Sequence, residues 1–278
     1  MRDKLTRMTI LDRITEFKKI EVARRKEKTP LALLQDSAEY NRERKSLCRA
    51  IRDSKNYGII AEFKRKSPSQ QDINVAADPA AITGAYERAG ASAISCLTDQ
   101  EFFGAQATDI DFVRRTVSLP VIRKDFIVDP YQIYEAKAMG ADAILLIASS
   151  LSATQIDDYA NLASELGLES LCEVHNEEEA AKVSSNVDVV GINNRNLKDF
   201  SVSIATSLEL AELLPPSIVR ISESGIDDPQ SVIKLRRAGY EGFLIGTHFM
   251  RAQDPGRELA AFIADVKRIE DLYDGAIA

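Results

Sequence analysis

From Tyr57 onward the chain repeats one phrase of apolar and polar positions: a short apolar run rich in β-branched residues, a polar turn, then an amphipathic stretch of helical period. The apolar runs are YGIIAEFK from Tyr57, ASAISCLT from Ala91, LPVIRKDF from Leu119 and ADAILLIA from Ala141. ESLCEV from Glu169, VDVVGINN from Val187, IVRISESG from Ile218 and GFLIGT from Gly242 complete the series. They are continuously apolar rather than alternating, which predicts parallel strands buried on both faces. The stretches between them carry helix punctuation. Asp78-Pro79, Asp129-Pro130 and Asp228-Pro229 read as helix starts, with Asp as N-cap and Pro at the first helical position. Gly90, Gly140, Gly167 and Gly239 read as helix ends just before the next strand. Eight such units predict a closed (β/α)8 TIM barrel. An open doubly wound sheet competes, but it usually has fewer strands and a glycine-rich first turn.

Residues 1–56 stand apart from the repeat. ILDRITEFKKIEVARRKEK predicts a charged amphipathic helix, and a second helical stretch surrounds SLCRAIRD. These residues read as an N-terminal helical extension packed on the barrel of residues 57–278, with no separate domain. The basic run from Lys18 to Lys28 is interspersed with glutamates, which favours a solvated helix face over a nucleic-acid patch.

Composition narrows the function. The 278 residues are 45% hydrophobic and carry a net charge of −7, which argues against nucleic acid and anionic membrane as partners. One cationic pocket for a small anionic molecule is compatible with that exterior. Apolar runs are too short to span a bilayer, and no secretory apolar region follows Met1. Cys48, Cys96 and Cys172 lie far apart without metal-ligand spacing and read as reduced thiols of a cytoplasmic protein. With only His175 and His248, a multi-histidine metal site is not expected. No dinucleotide or nucleotide-triphosphate motif occurs, so no cofactor is expected.

The chemistry should lie at the carboxyl ends of the strands, where barrel enzymes build their sites. The first run ends Glu62-Phe63-Lys64, and alternation places Glu62 and Lys64 on one side, toward the barrel mouth. The third ends at Lys124, the fifth in Glu173-Val174-His175, the sixth in Asn193-Asn194-Arg195, the seventh in Glu223-Ser224-Gly225 and the eighth in Gly246-Thr247-His248. A core would place aliphatic residues at these ends; converging lysines, glutamates and an arginine point to acid–base chemistry. Opposite charges keep one another ionised, while burial pushes a lysine pKa down. Small residues in Ser224-Gly225 and Gly246-Thr247 let backbone amides approach phosphate, and the loops after strands 7 and 8 are the usual place. Lys64 and Arg195 add charge-assisted contacts there.

These residues resemble the indole-3-glycerol phosphate synthase family over nearly the whole chain. The resemblance rests on ILDRITEFKKIEV, IIAEFKRKSPS, LTDQEFFGA, VIRKDFIVDPYQIYEAKAMGADAILLIA, CEVHNEEE, VGINNRNL, SESGI and GFLIGTHFM. It implies ring closure of a carboxyphenylamino-deoxyribulose phosphate, with loss of carbon dioxide and then water, in tryptophan biosynthesis. It implies Lys124 as general acid and Lys64 as a second acid/base group, with Glu173 assisting dehydration and Glu62 orienting the lysines. Asn193, Glu223 and Ser67 would hold the substrate, and Phe103 and Phe126 would pack on its anthranilate ring. Arg195, Ser224, Gly225, Gly246 and Thr247 would hold its phosphate. A monomer or weak dimer is expected.

Three loops depart from the family pattern. The usual SPSxG ends here in Gln70-Gln71, FFxGS becomes Phe102-Phe103-Gly104-Ala105-Gln106, and GES or GET becomes Gly246-Thr247-His248. Rival readings are another phosphosugar barrel, such as phosphoribosylanthranilate isomerase or a Schiff-base aldolase using Lys124, and a non-catalytic relative. The intact Glu62, Lys64, Lys124 and Glu173 set argues against the last.

Overall fold

In the computed structural model, which describes residues 9–275 apart from 198 and 216, eight short strands close on one another in chain order. They are β1 (Ile59–Phe63), β2 (Ala93–Leu97), β3 (Val121–Lys124), β4 (Ala143–Ile147), β5 (Glu169–Val174), β6 (Val189–Asn193), β7 (Val219–Glu223) and β8 (Gly242–Ile245). Every pair is parallel, and β8 returns to β1 through Ile60↔Leu244. With helices between the strands, this is the (β/α)8 barrel that the repeat predicts.

Alternation within each strand sorts the side chains into two layers. In β1, Ile59, Ala61 and Phe63 join the outer core between strands and helices, while Ile60 joins the inner core with Ile122, Leu171, Ile221 and Leu244. Two positions beyond those inner residues stand Glu62, Lys124, Glu173 and Glu223, so the same inward period carries charge once the barrel opens toward its mouth. Arg123 and Asp125 fall on the other phase. Arg123 is fully buried in the outer layer, donating to the Gln132 carbonyl (2.8 Å) and pairing with Asp125 (2.9 Å) and Glu135 (3.2 Å).

The helices start largely where their caps predict. Asp78 accepts the Ala81 amide (2.9 Å), and Asp228 accepts that of Gln230 (3.0 Å). The third start lies one residue later: Asp129 accepts the Tyr131 amide (2.8 Å), Pro130 is itself the cap, and the helix runs Tyr131–Ala138. Gly90 ends its helix at φ 100°, a left-handed conformation that a side chain would strain.

Among the described residues, three helices precede β1: α1 (Ile10–Lys28), α2 (Leu31–Gln35) and α3 (Leu47–Arg52). α1 opens with a capping box between Thr9 and Asp12, and its Ile10, Leu11 and Ile14 roof the cavity at the barrel mouth. One expectation for this helix fails. Lys18 is no part of a solvated face; it is fully buried, because carboxylates at the ends of β2 and β3 neutralise it. α3 closes the opposite end. Its Leu47 and Ile51 join the inner core, and Glu169 at the start of β5 accepts from Ser46 Oγ (2.6 Å) and the Cys48 amide (2.8 Å).

Leu47 therefore acts as a stopper inside the barrel. Leu47→Ala is expected to destabilise the fold by about 2–5 kcal/mol, seen as a lower urea midpoint. An unchanged midpoint would show that the barrel base closes without it.

Candidate active site

A cavity of about 860 Å³ opens at the carboxyl ends of the strands. Lys124, the last residue of β3, is its charged centre: Nζ lies 2.7 Å from Glu223 Oε2 and 3.2 Å from Glu173 Oε2. Lys64 Nζ pairs with Glu62 Oε1 at 2.8 Å, and Ser95 donates to the other Glu62 oxygen at 3.2 Å. Glu173 is also faced by His175 Nε2 at 3.4 Å and hydrogen-bonded by Asn193. Glu179 fixes His175 by accepting its backbone amide and pairing with its Nδ1, both at 2.9 Å.

Burial and opposite charge, the two effects expected at these strand ends, compete at Lys124. Burial alone lowers a lysine pKa, but Glu223, Glu173 and Glu62 outweigh it and raise the value, so the ammonium stays charged. Burial works against ionised Glu173 and Glu62 as well. Lys124, His175 and the Asn193 hydrogen bond nevertheless hold Glu173 below its ordinary range, and Lys64 and Lys124 do the same for Glu62. Glu223 differs. Burial, with repulsion from Glu173 and Glu62, exceeds the pull of Lys124 and raises its pKa to about 7.

Two glycines make room for these carboxylates. A Cβ on Gly191 would lie 2.0 Å from Glu223 Oε1, and one on Gly246 would lie 2.6 Å from Glu62 Oε1. Gly246 thus has a steric duty to the charged centre in addition to the phosphate role expected of it.

Arg195, Ser224, Gly225, Gly246 and Thr247 line one end of the cavity. Ser224 (φ 66°) and Gly225 (φ 69°) are both left-handed, an unfavourable state for a serine that neighbouring structure must hold. Buried Asn194 holds it, donating to the Ser224 carbonyl (3.0 Å) and Ser222 Oγ (2.9 Å) while accepting from the Ser207 amide (3.1 Å) and hydroxyl (2.8 Å). Arg195 donates its backbone amide to Asn193 Oδ1 (3.0 Å) and Nη1 to the Phe200 carbonyl (3.4 Å). Arg251 lines the same cavity and donates to Gln70.

Phe103 and Phe126 line the cavity wall with ring centroids 5.9 Å apart, tilted by 42°. Ser67 lines it from the loop after β1, where Ser67 and Gln70 exchange backbone hydrogen bonds of 2.7 and 3.0 Å. Among the departures from the family pattern, Gln71 is exposed and Gln106 donates its amide to Asp109 (2.7 Å). His248 does line the cavity, 3.1 Å from Glu258.

Every residue singled out from the sequence as a site candidate lines this one cavity. The sequence reading assigned no role to Asn194, His175, Ser95, Arg251 or the roof residues Ile10, Leu11 and Ile14. A polar residue doubled at a strand end, as in Asn193-Asn194, is the one local signal available: one faces the mouth and the other buttresses the loop. Among the described residues, no group of three or more His, Cys, Asp and Glu side chains is placed to hold a metal ion.

Fold and site together define a (β/α)8-barrel enzyme built for acid–base chemistry. Residues 11–262 match the family model described as indole-3-glycerol phosphate synthase, and the chain belongs to that family. An indole-3-glycerol phosphate synthase from Bacteroides thetaiotaomicron is 46% identical over 258 residues, covering 93% of this chain and 99% of the relative. Another from Salinibacter ruber is 42% identical over 265 residues, covering 94% and 98%. Among solved structures, a thiamine phosphate pyrophosphorylase from Pyrococcus furiosus shares the fold at a TM-score of 0.55 and 17% identity, over 76% of this chain and 97% of that one.

The raised Glu223 pKa makes stability depend on pH. Between its ordinary 4.5 and about 7, the folded state keeps a proton that the unfolded chain has lost. Its contribution therefore falls as pH rises through that window and is constant above it. Glu223→Gln, which imitates the protonated form, should gain stability relative to wild type across the window, as read from urea midpoints. A constant difference between the two proteins would mean that Glu223 titrates normally.

Proposed function

We propose that this chain closes the indole ring of 1-(2-carboxyphenylamino)-1-deoxyribulose 5-phosphate, releasing carbon dioxide and water to give indole-3-glycerol phosphate. Family membership supports the reaction. The observation that carries it onto this geometry is a charged Lys124 held between Glu173 and Glu223 in the cavity.

The first step forms a bond between the substrate's aryl carbon and its ribulose carbonyl carbon. The carbonyl oxygen takes the electron pair and needs a proton as the bond forms, and Lys124 supplies it. Lys124 holds that proton firmly while its carboxylate partners face it. Substrate hydroxyl and anilino groups that engage Glu173, Glu223 and Asn193 loosen those partners, and burial then favours release. Loss of carbon dioxide returns electrons to the ring. The new hydroxyl then leaves as water, protonated by Lys64, while Glu173 accepts the proton given up by the substrate, and Glu62 keeps Lys64 oriented.

Phe103 and Phe126 receive the aryl ring, and Ser67 contacts the substrate from the loop after β1. Arg195, with the loops at Ser224-Gly225 and Gly246-Thr247, holds the phosphate. A Schiff-base aldolase would need a neutral, nucleophilic Lys124, which the surrounding carboxylates oppose. The reading places the enzyme in the cytoplasm, where its three free cysteines stay reduced. It requires one small anionic substrate and is compatible with a monomer or weak dimer.

Two substitutions separate the roles. Lys124→Met keeps the apolar stem and removes the proton, so kcat should fall by about 10²–10⁴-fold or more with a much smaller change in KM. A folded Lys124→Met enzyme with near wild-type kcat would make Lys124 a structural lysine. Arg195→Ala removes a contact present in ground and transition states alike, so it should chiefly raise KM. The assay is indole fluorescence on incubation with the substrate; a predominant kcat effect for Arg195→Ala would move that residue into the chemistry.

A further inference from the structure

Helix α1 reaches the aromatic wall of the cavity through one cation. Lys18 Nζ lies 2.8 Å from Asp99 Oδ2 and 3.0 Å from Asp125 Oδ1, with Glu21 Oε2 at 2.7 Å. Asp99 stands just after β2 and Asp125 just after β3, and both side chains are fully buried. Each carboxylate in turn holds the backbone of an aromatic residue. Asp99 Oδ1 accepts the amides of Phe102 (2.7 Å) and Phe103 (3.2 Å), and Asp125 Oδ1 accepts that of Phe126 (2.8 Å). Phe17, beside Lys18, packs edge-on against Phe102 at 5.6 Å.

Resting on the reaction assigned above, we propose that Lys18 is a positioning residue for ring binding. By holding Asp99 and Asp125 to one ammonium, it sets the spacing of the Phe103–Phe126 pair that receives the substrate's aminobenzoate ring.

The two carboxylates do not depend on Lys18 equally. Asp125 Oδ2 is also held by Arg123 Nη2 and Thr98 Oγ1, both at 2.9 Å. Among the described residues, Lys18 is the one cation paired with Asp99. Without it, Asp99 becomes a buried, uncompensated charge, a state proteins avoid by moving the group toward water. The turn that Asp99 holds carries Phe103, whereas Phe126 stays anchored through Asp125. Loss of Lys18 therefore shifts one ring against the other and leaves the loops after β7 and β8 untouched.

Competitive inhibition of the full-length enzyme by two probes tests this: anthranilate for the ring end and inorganic phosphate for the far end. Lys18→Met should raise the anthranilate Ki roughly tenfold or more, with KM following, because small misplacements of a binding wall are costly. The phosphate Ki should stay within about twofold, as for independent sites. The double variant Lys18→Met/Asp99→Asn carries no unpaired buried charge, so it provides the same test should the single variant fail to fold. It too should bind anthranilate weakly, since the bridge is gone. Wild-type anthranilate affinity in the double variant, or equal weakening of both probes, overturns the role of Lys18 while leaving the reaction in place. A wild-type enzyme that forms no indole product overturns the reaction itself, and this inference with it.

Discussion

The site depends on a charge balance that water cannot supply. Inside the mouth, Lys64 and Lys124 face Glu62, Glu173 and Glu223, three carboxylates against two ammoniums. An unpaired buried charge is expensive, so the excess must be relieved within the cluster. A proton on Glu223 relieves it, and Glu223 is the carboxylate whose pKa rises to about 7. Glu173 stays ionised because it has Lys124, His175 and Asn193 around it. The cluster thus separates three chemically identical side chains by their neighbours alone.

That balance constrains the backbone around it. Carboxylates reaching across a barrel need space that Gly191 and Gly246 leave open. The left-handed Ser224 turn is held by Asn194, itself satisfied by Ser207 and Ser222. Polar groups behind the mouth therefore form a second network that fixes the loops without entering the cavity. A network of this kind rigidifies a site when every member is satisfied.

The helices before β1 serve both ends of the barrel. α3 plugs the base with Leu47 and Ile51, whereas α1 roofs the mouth with Ile10, Leu11 and Ile14 and inserts Lys18 behind it. The two sets of contacts differ in kind. Apolar contacts at the base are non-directional and depend on filled volume, whereas the ion pairs at the mouth hold individual strand ends in place.

Much of this was legible in the sequence, for a local reason. A strand's inward phase repeats every second residue, so Glu62 and Lys64 could be assigned to one side from β1 alone. Helix caps such as Asp78 and Asp228 are equally local, needing only the next few amides. The resemblance to a family then supplied roles that spacing could not. Other features belonged to the tertiary structure because they join residues far apart in the chain. Lys124 meets Glu173 and Glu223 across the barrel, and those contacts hold the lysine charged. Burial together with repulsion from Glu173 and Glu62 raises the Glu223 pKa to about 7 against the pull of Lys124. In the sequence, Lys18 looks like its solvated neighbours on α1; only docking against the ends of β2 and β3 buries it, because its partners Asp99 and Asp125 lie in other elements.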